Sequence, residues 1–150
     1  MDNKMKIHKE IAYYTSRKEF YKKAKKYGED AKNISKTQLS YLCNLADTTF
    51  KVTDILNYIK NQAAKSKKNK NWNYSDFACK LIGLLYDNEN GLICTYKKEI
   101  AGKPEYKKDL KEWNIQQIHL KLCRIFIRQM VVHYNYSKQT KNKGLKDDRK

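Results

Sequence analysis

The sequence predicts an all-α fold, a single compact bundle of five or six helices with a long central C-terminal helix. The 150 residues include only five glycines and one proline, the residues that punctuate β-rich chains. Apolar residues recur three or four positions apart through most of the chain, which is the period of a helix with one buried face. Because no flexible linker interrupts residues 1–136, we expect one domain there, followed by a basic, disordered tail over residues 137–150.

Two helices are predicted at the start of the chain. Ile7, Ile11 and Tyr14 indicate a short amphipathic helix. The run S-R-K-E at residues 16–19 is typical of a capping box, in which the serine and glutamate side chains accept hydrogen bonds from free backbone N–H groups. It predicts the start of a second helix, and Gly28 is expected to end that helix.

Two further helices are predicted in the middle of the chain. A second capping box, S-K-T-Q at residues 35–38, predicts the start of one helix. Thr53 is expected to cap the next helix, with Asp54 at the positive end of its dipole. The residues expected to face the core are Leu39, Leu42, Ala46 and Phe50 in the first of these helices and Ile55, Leu56, Ile59 and Ala63 in the second.

The next segment is less regular. Ser75 and Asp76 are expected to start a helix that stops before the turn-rich residues 87–91. Its inward-facing residues would be Phe77, Leu81, Leu84 and Leu85. Residues 92–108 fit either a strand or a short helix by composition, and we favour a helix because no partner strand is evident elsewhere.

The last predicted helix runs from Leu110 to about Tyr136 and is apolar nearly all round, which is typical of a central helix. Its apolar positions are Trp113, Ile118, Leu122, Ile125, Phe126, Met130, Val131 and Val132. One polar seam remains on this helix, formed by Gln117, Lys121, Arg124, Arg128 and Asn135. The seam either points out of the bundle toward a ligand or is simply the solvated edge of a buried helix.

The charge of the chain indicates an anionic partner. It has 33 Lys and Arg against 16 Asp and Glu, a net charge of +17, whereas solubility needs only about 2 to 8. Phosphate backbones and anionic lipid surfaces are the common partners of such an excess, although biased composition would also raise the lysine count. No apolar run approaches the length of a membrane span or signal peptide, so we expect a cytoplasmic protein without a membrane partner.

No residue pattern indicates catalysis, a metal or a cofactor, and we expect a non-enzyme. The chain lacks a glycine-rich phosphate loop and the common hydrolase and metalloprotease motifs. The histidines, His8, His119 and His133, are widely separated, and the last two would stand about 21 Å apart on one helix. The cysteines, Cys43, Cys79, Cys94 and Cys123, have no zinc-finger spacing and are expected to be reduced core thiols.

The segment AKSKKNKNW, residues 64–72, combines four lysines with a tryptophan and no acidic residue. Its cations suit contact with phosphate. Trp72 would either stack on an unpaired base or fasten the loop to the next helix.

Two motifs and the end of the last helix are similar to segments of a known family. The run Ser35-Lys36-Thr37-Gln38-Leu39-Ser40-Tyr41 is similar to a motif T-x-S-Q-I-R-K, with Ser40 in place of the arginine. Asn61-Gln62-Ala63-Ala64-Lys65 is similar to Y-Q-A-G-R, and IFIRQMVVHYNY is similar to the aromatic close of that family's last helix. Over about residues 30–136, the chain thus resembles the small subunit of type III-A (Csm) CRISPR effector complexes.

The resemblance implies a non-catalytic subunit of an RNA-guided antiviral ribonucleoprotein complex. Several copies would stack beside one another and beside the backbone and large subunits, touching the backbone of the guide RNA and target RNA without reading sequence. The residues predicted to bind nucleic acid are Lys60, Lys65, Lys67, Lys68, Lys70, Lys121, Arg124 and Arg128.

Three other functions remain open from the sequence. The chain could be the small subunit of the Cmr-type (III-B) complex, or a helical protein–protein adaptor whose lysines only keep it soluble. A DNA-binding regulator is disfavoured because no helix-turn-helix spacing with a recognition helix is evident.

Overall fold

The structure is a computed structural model that describes residues 2–66 and 71–142. Within these ranges every regular element is a helix and no strand occurs, which confirms the all-α prediction. The helices are α1 (Asn3–Thr15), α2 (Lys18–Asp30), α3 (Lys36–Thr48), α4 (Val52–Lys65), α5 (Phe77–Ile82), α6 (Leu92–Ala101), α7 (Pro104–Lys107) and α8 (Glu112–Asn142). Short 3-10 turns cover Ala31–Asn33 and Asn71–Asp76, and a π-helical turn, Gly83–Asp87, continues α5. Among the helices of residues 2–66 and 71–142, none combines the length and the apolar character that crossing a bilayer requires.

Helix α8 is the centre of the bundle, as its apolar composition predicted. It packs along α2 most extensively and also contacts α1, α3, α4 and α6. Leu122, Phe126 and Met130 are fully buried on it. Trp113 and Val132, which were expected to face the core, are each 57% exposed. Trp113 lies in the first turn, before the helix is surrounded by its neighbours.

Helix α8 extends beyond its predicted end. The sequence placed a domain boundary after Tyr136, but the helix continues to Asn142, so residues 137–142 are helical rather than part of a disordered tail. The rest of the predicted tail, residues 143–150, lies outside the described residues.

The boundaries of α2 differ from both sequence signals. Arg17, not Ser16, is the N-cap, and the Ser16 hydroxyl donates to the Tyr13 carbonyl at the end of α1 instead. Gly28 does not end the helix, which continues to Asp30. Gly28 is buried against α8, where a Cβ would lie 2.5 Å from the Met130 carbonyl oxygen. The glycine therefore permits close packing of two helices rather than a turn.

The capping prediction for α3 is confirmed, and the predicted end of its buried face is wrong. The Ser35 hydroxyl accepts a hydrogen bond from the Gln38 N–H (3.2 Å). Leu39, Leu42 and Ala46 are buried as predicted. Phe50 is 72% exposed, because α3 ends at Thr48 and the chain turns away from the core before reaching it.

Helix α4 begins one residue before its predicted cap. Lys51 is the N-cap, so Thr53 already belongs to the first turn. Asp54 lies in that turn as predicted, and its carboxylate accepts a hydrogen bond from the Thr49 hydroxyl at 2.5 Å. The Thr49 side chain thereby joins the end of α3 to the start of α4.

The later segments follow the prediction more closely. The residues expected to face inward from α5 and the π-helical turn, Phe77, Leu81, Leu84 and Leu85, are all buried. The ambiguous residues 92–108 contain α6 and α7, both helical as favoured. Of the cysteines, Cys94 and Cys123 are buried and Cys43 is half-buried, but Cys79 is exposed, contrary to the prediction that all four lie in the core.

Candidate nucleic-acid interface

The predicted RNA-binding residues fall into two groups at opposite ends of the antiparallel α3–α4 pair. Lys60 and Lys65 lie near the C-terminal end of α4, which a hydrogen bond from Gln38 to Gln62 (3.1 Å) joins to the start of α3. Arg124 contacts the other end of α3, about 12 Å further along that helix at 1.5 Å per residue. The remaining predicted lysines, Lys67, Lys68 and Lys70, lie outside the described residues.

The first group presents point charges to solvent. Lys60 and Lys65 are both exposed, and neither forms an ion pair with a described residue. Lys60 borders a groove of about 510 Å³ that is also lined by two carboxylates, Asp76 and Asp87. Lys65 does not line this groove, so these carboxylates border Lys60 and not Lys65.

Trp72 is part of the core and offers no surface to a base. The ring is 0% exposed and packs against Tyr58 and Phe77, with ring centroids 5.9 and 6.1 Å away. Its backbone N–H donates to the Ser66 hydroxyl at 3.3 Å. Of the two roles that the sequence left open, Trp72 therefore has the structural one, fastening the segment after α4 to α5.

In the second group, Arg124 is bound to the backbone at the end of α3. Its guanidinium donates from Nε to the Ala46 carbonyl (2.6 Å) and from Nη2 to the Thr49 carbonyl (2.5 Å). Carbonyls at the last turn of a helix lack intrahelical partners and carry partial negative charge, so a cation there stabilises the helix end. Arg124 is therefore held in one position and does not point freely out of the bundle.

Arg128, one turn further along α8, also contacts α3. Its Nη2 donates to the Asp47 carboxylate at 2.8 Å, and both side chains remain substantially exposed. An exposed pair of this kind contributes only about 0–1 kcal/mol, so Arg128 can exchange Asp47 for another anion at low cost.

The Lys121 side chain contacts α1, whereas those of Arg124 and Arg128 contact α3. Its Nζ lies 2.6 Å from His8 Nδ1. Because an ammonium group only donates, His8 accepts at Nδ1 and is the neutral tautomer with its proton on Nε2. Partial burial, Lys121 and Lys4 lower the pKa of His8, while burial and Arg124 lower the pKa of Lys121. Positive groups are thus crowded together at this point.

Lys121 and Arg124 border a groove of about 560 Å³ between α1 and the start of α8. We call it the α1–α8 groove. Its apolar walls are Ile7, Ile11, Leu110 and Ile118, and its polar lining is Asn3, Lys4, His8, Asp109, Asn114, Gln117, Lys121 and Arg124. No sequence pattern predicts this groove, because it depends on the packing of α1 against a helix more than a hundred residues later.

A second basic surface, on α2 and α5, was also missed by sequence reasoning. Lys23, Lys26, Lys32 and Lys80 line a depression of about 480 Å³ around Tyr27 and Tyr74. Lys32 Nζ lies 5.7 Å from the centroid of the Tyr74 ring. Glu29 and Asp30 share this surface, and Asp30 pairs with Lys26 at 3.2 Å. These carboxylates offset part of the positive charge of this surface.

Groups with acid–base or metal-binding chemistry occupy structural positions. Nε2 of the buried His119 donates to the Leu85 carbonyl at 2.6 Å, and burial lowers the pKa of this imidazole. Burial raises the pKa of the thiols of Cys43, Cys94 and Cys123, which keeps them protonated. Residues 2–66 and 71–142 contain no group of three or more His, Cys, Asp or Glu side chains placed to hold a metal ion.

Comparisons of the chain with protein-family models, with curated proteins and with solved structures give no match.

Proposed function

We propose that this protein binds the backbone of guide RNA and target RNA without sequence specificity, as a non-catalytic small subunit of an RNA-guided type III-A (Csm) complex. The observation that carries the RNA-binding proposal is unneutralised positive charge. The net charge is +17, and the described residues form only three ion pairs, which involve Lys26, Lys103 and Arg128. Most of the exposed lysines therefore have no carboxylate partner and are available to phosphate.

The type of cation supports backbone contact rather than base reading. Lys60 and Lys65 are exposed point charges on one helix, and phosphate contacts from such groups carry no sequence information. Arg124 uses two of its five N–H donors on backbone carbonyls, so its charge is fixed while other donors remain. A rigid helical scaffold holding charges at fixed positions suits a subunit that supports a paired guide and target RNA.

Fluorescence anisotropy with two single-stranded RNAs of unrelated sequence tests the RNA-binding proposal. Five phosphate contacts predict a slope of about −3.5 in a plot of log binding constant against log salt concentration. Replacing Lys60 and Lys65 by glutamate should weaken binding of both RNAs equally and reduce the magnitude of the slope by about 1.4, for two lost contacts.

The matched control replaces Lys18 and Lys22 by glutamate, which changes the net charge by the same amount. Both lysines are exposed, lie on α2 and do not line the α1–α8 groove. This variant should retain most of the affinity, because only the long-range field changes. Binding that is insensitive to salt, a loss that depends on RNA sequence, or equal losses in the two variants would contradict the proposal.

The assignment to a Csm complex rests on the resemblance of residues 30–136 and has a separate test. Co-expression with tagged backbone and large subunits should recover this chain with Csm subunits, together with guide RNA. Recovery with Cmr subunits instead would assign it to the type III-B complex and leave the backbone-binding mechanism unchanged.

A protein–protein adaptor is the second candidate function, and two exposed aromatic residues favour it. Phe50 is 72% exposed and Trp113 57% exposed, and the Gln117 side chain bonds the Phe50 carbonyl (3.4 Å) one turn beyond Trp113. Absence of any mobility shift with single-stranded or duplex RNA at moderate salt would favour the adaptor.

A further inference from the structure

The α1–α8 groove has the size and lining of a small-ligand site. Its volume of about 560 Å³ lies within the range of about 300–1,000 Å³ that is usual for such sites. Ile11 and Ile118 are buried in its walls, and Ile7 and Leu110 are half-buried. A ligand filling the groove would therefore cover the exposed parts of Ile7, on α1, and of Leu110, just before α8.

One side of the groove is strongly positive. Lys4, Lys121 and Arg124 face it, against a single carboxylate, Asp109, while His8 is neutral. That carboxylate already accepts a hydrogen bond from Asn3 at 2.7 Å. The Arg124 guanidinium is fixed by its two carbonyl bonds, so it is positioned before any ligand arrives. The charge of the groove therefore complements an anion.

The groove also offers hydrogen-bonding groups for a planar polar edge. Asn114 uses its Oδ1 to accept from the Lys111 N–H (3.0 Å), and Gln117 uses its Nε2 to donate to the Phe50 carbonyl (3.4 Å). Within the described residues, the Asn114 amide nitrogen and the Gln117 amide oxygen have no partner. They leave a donor and an acceptor one turn apart, since the two residues are three positions apart on α8.

We infer that the α1–α8 groove binds one unpaired nucleotide of an RNA strand, with the base against Ile7 and Leu110 and the phosphate beside Lys4, Lys121 and Arg124. A nucleotide combines the three features that the lining requires: an apolar face, an edge with donors and acceptors, and an anionic group. This inference rests on the proposed function, since it takes the ligand to be part of an RNA strand. It adds a place where a base, and not only the backbone, is held.

Titration of the full-length protein with AMP, adenosine and inorganic phosphate, followed by NMR, tests the groove directly. AMP should shift the imidazole resonances of His8 and bind about tenfold more tightly than either adenosine or phosphate, because each of these lacks one half of the interaction. A short oligoadenylate should shift the same resonances. Equal affinity for AMP and phosphate, or unchanged His8 resonances, would overturn the inference.

Two neighbouring lysines on α1 provide a matched pair of variants. Lys4 lines the groove, whereas Lys6 does not, and both are exposed, so neither change should affect folding. Lys4→Gln should weaken AMP binding about threefold, the value of one exposed charge pair, while Lys6→Gln should leave it unchanged. Equal effects of the two variants would show only general electrostatic attraction and would contradict a groove site.

The outcomes separate this inference from the proposed function. If RNA binding keeps its salt slope and its dependence on Lys60 and Lys65 but AMP does not bind, the groove inference fails and backbone binding stands. If AMP binds in the groove but RNA does not bind, the RNA assignment fails in both proposals.

Discussion

The packing of α2 against α8 predicts that replacing Gly28 by alanine destabilises the fold. A Cβ added there would lie 2.5 Å from the Met130 carbonyl oxygen, 2.8 Å from His133 Cβ and 2.9 Å from the Tyr134 amide nitrogen. Two of these atoms are backbone and the third is a Cβ, so a change of rotamer cannot relieve the contacts. Gly28→Ala would therefore force the two helices apart.

The expected cost follows from two opposing terms. Overpacking of a core costs about 1–3 kcal/mol, and three contacts with atoms that cannot move independently place Gly28→Ala near the upper end. Alanine in a helix interior gains about 1 kcal/mol over glycine. The net loss in free energy of unfolding should be about 2 kcal/mol.

Urea denaturation followed by circular dichroism measures this loss, with Gly83→Ala as the control. A net loss of about 2 kcal/mol corresponds to a midpoint lowered by about 1 M, for a slope of about 2 kcal/mol per M. Gly83 has helical φ and ψ angles of −59° and −46°. Outside its own helix backbone and chain neighbours, the nearest described heavy atom to a new Cβ there is Asn88 Cβ at 4.0 Å. Gly83→Ala should be neutral or stabilising. A Gly28→Ala protein as stable as the wild type would refute the close contact between α2 and α8.

Two further predictions concern stability. Arg124→Ala should lower the free energy of unfolding by about 2–3 kcal/mol, because charged hydrogen bonds to two helix-end carbonyls are lost. Arg128→Ala removes an exposed ion pair and should lower it by less than about 1 kcal/mol. Urea midpoints of the two variants within error of each other would contradict this. Burial lowers the pKa of His8, His119 and His133, so near and below the ordinary value of 6.5 the unfolded chain binds more protons than the folded one. Stability should therefore be complete above that value and fall as the pH drops to about 5, and a flat or rising urea midpoint on acidification would contradict it.

The fold could be predicted from sequence because its evidence is local. Apolar spacing identified the central helix α8, and the hydroxyl of Ser35 caps α3 as its motif indicates. The predictions that are wrong concern residues whose environment depends on a segment distant in the sequence. Gly28 follows the local pattern of a helix end, yet it serves a contact with residues more than a hundred positions later. Phe50 continues the apolar period of α3, but the helix has already ended.

The candidate site was harder to predict than the fold. The sequence identified the cations Lys121, Arg124 and Arg128 by their spacing on one helix, and the structure places all three on α8. It could not show that Arg124 bonds to carbonyls 75 and 78 residues earlier, or that Lys121 meets His8 on α1. Those partners depend on how the helices pack, and the packing cannot be predicted from a local sequence pattern.

The double role of the seam decides how the binding proposals can be tested. Arg124 stabilises the end of α3, so removing it would weaken RNA binding by partial unfolding even if it never touched RNA. The exposed Lys4, Lys60 and Lys65 form no ion pair or hydrogen bond with a described residue, so loss of binding on changing them is a loss of direct contact or field. If RNA binding depends on these lysines while the folded state keeps its urea midpoint, the positive charge serves recognition. If RNA binding is lost only when Arg124 is changed, and is lost together with stability, the seam has a structural role in the bundle.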